Sequence, residues 1–106
     1  MNLKEIQDDV YKNSVEHGWH DKERSFGDVI ALIHSELSEA LEEYRNGKPD
    51  VYEENGKPEG ILVELADAVI RIMDFFGEVN ADLEEVIIYK HNYNRTRSYR
   101  HGNKKI

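Results

Sequence analysis

Apolar residues recur every three to four positions through most of the chain, and four helices follow from that period. Leu3, Ile6, Val10 and Val15 lie along one side of a first helix over residues 3 to 16, which His17-Gly18 ends. A second begins near Ser25, whose hydroxyl can cap free amides, with Asp28 three residues on as an approximate capping box; it runs to Asn46-Gly47. Its core stripe is Ile30, Ile33, Leu37, Ala40, Leu41 and Tyr44. From Ile61 to Phe76 apolar side chains cover more than half the circumference of a third helix, which should therefore be the central, most buried element. Pro58 suits its first turn, because the missing amide would be unpaired there, and Gly77 ends it. Asn80 caps a fourth helix that continues to about Arg97, ahead of Gly102 and a basic tail over about residues 98 to 106.

Between the second and third helices, "NGKPDVYEENGK" holds two Asn-Gly pairs and Pro49, which predicts a long exposed connection. No segment alternates with period two between hairpin turns, so no strand is expected. Repeats and low-complexity segments are absent, and the expected fold class is all-α, a single helical domain over residues 1 to 106.

Composition adds a need for a partner. The chain has 106 residues, 39% hydrophobic and 34% charged, more polar than an average domain and short for a single core, so a second subunit is expected to cover part of the apolar surface. There is no charged leader followed by an apolar run and no apolar segment of about 18 residues, so the expectation is a soluble, cytoplasmic protein without signal peptide or membrane span. With no cysteine, only carboxylates and the five histidines could hold a metal.

The charge is uneven. After Glu85 no acid occurs, while Lys90, Arg95, Arg97, Arg100, Lys104 and Lys105 give the last stretch +6 of a net −8 and leave −14 on the rest. That acidic remainder argues against nucleic-acid binding. A small polyanion bridged by a cation would use both signs.

Two acidic pairs stand out. Glu36 and Glu39 sit three apart in the second helix, and Glu64 and Asp67 three apart in the third, each pair on one helix face. This composition yields roughly four or five such pairs by chance, and the bland reading of each is a solvated face. Context tells against it: Glu36 and Glu39 continue the apolar line of Val29 and Leu32, and Glu64 and Asp67 interrupt the greasiest helix. Clustered carboxylates that lose hydration repel one another unless a cation neutralises them. Oxygen ligands alone favour magnesium or manganese over zinc. A di-iron bundle needs Glu-x-x-His pairs. The residues three before His17, His20, His34, His91 and His101 are Ser14, His17, Ala31, Ile88 and Ser98, so none completes one.

Lys90, Asn94 and Arg97 share a face of the fourth helix, either as a basic end that suits the helix dipole or as a phosphate clamp. Trp19, the only tryptophan, either packs over a helix end or stacks on a base.

Together "ELSE", "ELAD" and the downstream Lys-x-x-x-Asn-x-x-Arg pattern resemble the MazG-like all-alpha nucleoside triphosphate pyrophosphohydrolases, over about residues 16 to 105. The resemblance implies a four-helix bundle assembled as a dimer or dimer of dimers, each site often completed by a second chain. It implies magnesium, with manganese possible, held by Glu36, Glu39, Glu64 and Asp67, and phosphate contacts from Lys90, Asn94 and Arg97. The implied reaction is hydrolysis of a nucleoside triphosphate, often a deoxynucleotide, between the alpha and beta phosphates. Glu39 is the first choice for the base that activates water and Glu36 the second. Many members carry a further acid where this chain has Ser35, which opens the alternative of a non-catalytic helical dimer that binds a nucleotide or a partner. No Gly-rich phosphate loop is present to support a P-loop enzyme.

Overall fold

In the computed structural model, which describes residues 1–106, the apolar period produces helices α1 (Leu3–Glu16), α2 (Phe26–Arg45), α3 (Ile61–Glu78) and α4 (Leu83–Arg95). A fifth, α5 (Arg100–Asn103), is an irregular turn with left-handed His101 and Gly102 inside it. A small antiparallel sheet of β1 (Tyr52–Glu54) and β2 (Lys57–Glu59) joins α2 to α3. The fold is mostly helical, as expected, but the expectation of no strand is corrected. Asn55 (φ 54°) and Gly56 (φ 78°) form a two-residue left-handed reversal of the kind that closes hairpins. Strands of three residues are too short for alternation to be read.

Helix boundaries follow local chemistry, with some corrections. Ser25 caps α2 as expected, its Oγ accepting from the Asp28 amide at 3.1 Å. Asp82, not Asn80, caps α4 by accepting from the Glu85 amide, and Asn80 takes the left-handed turn before it. Pro58 lies in β2 opposite Glu53, where an edge strand tolerates a missing donor, and α3 starts only after Gly60. Gly77 does not end α3, which runs on to Glu78; α4 stops at Arg95, short of Arg97.

The packing is antiparallel between α2 and α3: Phe26 meets Phe75 at one end (ring centroids 5.3 Å), and Glu43 meets Glu64 at the other. α3 is central, with α2 on one side and α1 on another. Gly77 sets the approach of α1, since a Cβ there would lie 2.5 Å from the Tyr11 ring. A buried glutamine ties the α3–α4 turn: Gln7 Nε2 donates to the Ala81 carbonyl at 2.8 Å, and its Oε1 accepts from the Leu83 amide at 2.9 Å.

The core is small. Val29, Ala40, Ala68, Met73 and Leu83 are its buried apolar residues, while Leu37, Leu41 and Tyr44 from the expected α2 stripe are exposed. Val86, Ile87 and Ile88 on α4 are also exposed. No helix is long and apolar enough to cross a membrane.

Candidate functional site

Glu64 stands in the first turn of α3, Asp67 one turn later, and Glu36 near the middle of α2. Antiparallel packing brings one carboxylate oxygen from each to within 4.8 Å of the others. Glu36 shares the α2 face of Val29 and Ala40, and Glu64 the α3 face of Ala68, so both follow their helices into the interface; they are 8% and 7% exposed. Arg71 Nε donates to Glu36 Oε1 at 2.8 Å. The hydrogen bonds around the cluster end on Glu36 and Glu43, and none reaches Glu64.

The acids respond differently to this crowding. Loss of water pushes Glu64 up to about 8, reinforced by the Glu39 and Glu36 carboxylates beside it. Burial also raises Glu36, but the Arg71 bond and charge outweigh it and hold Glu36 below the ordinary glutamate range. Asp67 is raised, by burial and then by the charge of Glu36.

Glu39 is exposed on the next turn of α2, outside the tight trio but beside Glu64. The predicted acids are therefore brought together as three partly buried carboxylates and one exposed neighbour. Glu64 belongs to a second trio as well, with Glu43 and Glu59 within the same 4.8 Å. That trio already has partners: Tyr52 donates its hydroxyl to Glu43 at 3.0 Å, and Lys57 pairs with Glu59 at 3.3 Å. Ser35 is exposed, its hydroxyl donating to the Leu32 carbonyl at 2.7 Å.

Glu36 and Asp67 also line a cavity of about 1060 Å³ between α1, α2 and α3. Its wall mixes apolar Leu32 and Ile70 with Arg71 and Arg24, and Trp19 lines it from the loop after α1. Trp19 is 69% exposed, so it does not serve as packing over a helix end. In the cavity wall, Arg24 bonds the buried Asp74 at 3.2 Å, and His20 bonds the same carboxylate at 2.8 Å, bracing that loop on α3.

Within one chain, Lys90, Asn94 and Arg97 are not brought to the carboxylates. α4 packs on α1, and none of the three lines the cavity; Lys90 and Arg97 flank the Tyr93 ring instead, at 4.7 and 5.7 Å from its centroid.

The reading of the sequence missed Arg71 and Glu59. Arg71 left one signal, its position one turn beyond Asp67 on the same face, whereas Glu43 and Glu59 meet only through the hairpin register. No family model, curated protein or solved structure matches the chain.

Proposed function

We propose that the protein is a MazG-like helical hydrolase that cleaves a nucleoside triphosphate between the alpha and beta phosphates, with magnesium or manganese, giving monophosphate and pyrophosphate. The observation that carries this reading is Glu64: a buried carboxylate with no donor, clustered with Glu36 and Asp67, which themselves line the cavity. Repulsion among such groups is relieved by a hard divalent cation, and an all-oxygen set suits magnesium or manganese. Glu36, Glu64 and Asp67 would hold it, with Glu39 at their flank. When bound, the ion supplies Lewis acidity toward phosphate oxygens and acidifies water.

The chain's own groups do the rest. Glu39, exposed and next to Glu64, accepts the proton of the attacking water. Glu36 is the poorer base, because in the ion-free protein Arg71 holds it below the ordinary range and in the loaded protein it would itself hold the ion. Trp19 offers an exposed indole face at the cavity for a base to stack on. The cavity is at the upper end of the range of about 300–1,000 Å³ that takes small molecules, which suits a nucleotide.

Lys90, Asn94 and Arg97 reach substrate phosphates from a second copy of the chain, in a dimer or dimer of dimers. Their distance from the carboxylates of their own chain and the exposed apolar residues of α4 support that arrangement.

Incubation with canonical and modified triphosphates plus magnesium is expected to release pyrophosphate and monophosphate; orthophosphate as the sole product would sink the assignment. Dimerisation without magnesium-dependent triphosphate binding would instead favour a non-catalytic partner-binding role.

A further inference from the structure

Arg71 is the cation that the carboxylate cluster already has. It projects from α3 one turn beyond Asp67 and bonds Glu36 through Nε alone. Neither terminal nitrogen of its guanidinium makes a hydrogen bond, so its outer edge, with up to four N–H donors, is free. Arg71 also lines the cavity that Glu36 and Asp67 open onto, and its side chain is 37% exposed. A half-exposed side chain on a helix can turn away from one partner without disturbing the core. Lys57, the other cation near the acids, is committed to Glu59 on the hairpin side. On the cavity side Arg71 is the cation bonded to the cluster, while Arg24 in the same wall is committed to Asp74 and Glu78.

Resting on the function proposed above, we propose that Arg71 is a resident counter-ion that yields its place on Glu36. In the ion-free protein it neutralises Glu36; when a divalent cation takes that carboxylate, the guanidinium is released and binds the phosphate chain in the adjoining cavity. Two properties of the group favour this exchange. Its charge opposes a second cation at the same carboxylate, so it weakens ion binding until substrate is present. Its planar fork matches two phosphate oxygens better than one carboxylate oxygen held through Nε. Ion and substrate binding are thereby coupled, each easier once the other is present.

The test separates charge from fork. Wild type, Arg71→Gln and Arg71→Lys are titrated with manganese alone, followed by the loss of the free-ion paramagnetic resonance signal. They are then titrated with a non-hydrolysable triphosphate in saturating manganese, followed by calorimetry. Circular dichroism checks that each is folded. Arg71→Gln should bind manganese about tenfold more tightly, because a repelling charge is gone. It should bind the triphosphate roughly tenfold or more weakly, because the charged donors are gone. Arg71→Lys should keep the wild-type manganese affinity and still bind triphosphate weakly, and this variant carries the test if Arg71→Gln does not fold.

Weaker manganese binding in Arg71→Gln would mean that Arg71 merely positions Glu36, and the proposal fails. It also fails if either variant binds both ligands as the wild type does. A wild-type protein that binds neither manganese nor triphosphate overturns the function itself; a wild type that binds both, with a variant indistinguishable from it, overturns only the role of Arg71.

Discussion

A glutamate shielded from water with no donor beside it settles in one of two ways: it takes a proton or it shares a cation. Glu64 is in that position, and the ion-free protein should be sensitive to pH because of it. Its folded value of about 8 lies above that of an unfolded glutamate, so the stability contributed by the protonated form is complete below the unfolded value and lost as pH rises through 8. Thermal melting of the ion-free protein between about pH 5 and about pH 9 should weaken toward the upper end, and less so in Glu64→Gln, which cannot ionise. Parallel curves for the two proteins would show that Glu64 does not titrate in this window. Added magnesium should restore wild-type stability at the alkaline end and have little effect on Glu64→Gln. The same variant should lose at least 100-fold in turnover at unchanged helicity, and full activity would remove the cluster from the chemistry. At this scale the sequence was informative where spacing within one helix sufficed: Glu36, Glu64 and Asp67 could be paired on paper. Arg71 on Glu36 and Tyr52 on Glu43 could not, because such pairs depend on how one element slides along another.

Helix existence was legible because the 3.6-residue period persists over several turns, and the Ser25 cap because its partner lies three residues away. What was lost came from short elements and from polar groups in apolar company. A hairpin of three-residue strands has no period, and Gln7, polar and outside the expected apolar stripe of α1, is 1% exposed because both ends of its amide are satisfied by the α3–α4 turn. Replacing Gln7 by Leu leaves the Leu83 amide and Ala81 carbonyl without partners, and urea unfolding should show a loss of about 2–4 kcal/mol. Gly77 was read as a helix stop for a similar reason: glycine near a helix end usually is one. Here it is a contact surface. Gly77→Ala should cost about 1–3 kcal/mol in the same measurement despite alanine's better helix propensity, since the added methyl meets the Tyr11 ring. Stability equal to wild type would mean that α1 can retreat.

The whole chain is too open for its size. Its accessible surface is 8248 Å², whereas a folded monomer of this mass should expose about 6,100 Å². Its radius of gyration is 16.4 Å, against about 13 Å for a compact domain of this length. The difference in area is of the order that a stable subunit interface hides. Val86, Ile87, Ile88 and Tyr93 on α4 are among the exposed apolar residues that such an interface would cover. Light scattering should therefore give an even multiple of the 12.4 kDa chain, and Ile87→Asp or Ile88→Asp should lower the mass and the activity together. A monomeric wild-type protein would refute the shared-site arrangement.

The stand-off between α4 and the carboxylates also has a genetic reading. If each site takes its acids from one chain and its basic helix from the other, then Glu64→Gln and Arg97→Ala damage opposite halves of the same site. Each protein alone would be inactive. After subunit exchange, one site in each mixed pair would contain two intact halves, and the mixture should recover about a quarter of wild-type activity under random pairing of symmetric dimers. Two dead proteins would complement each other in the tube.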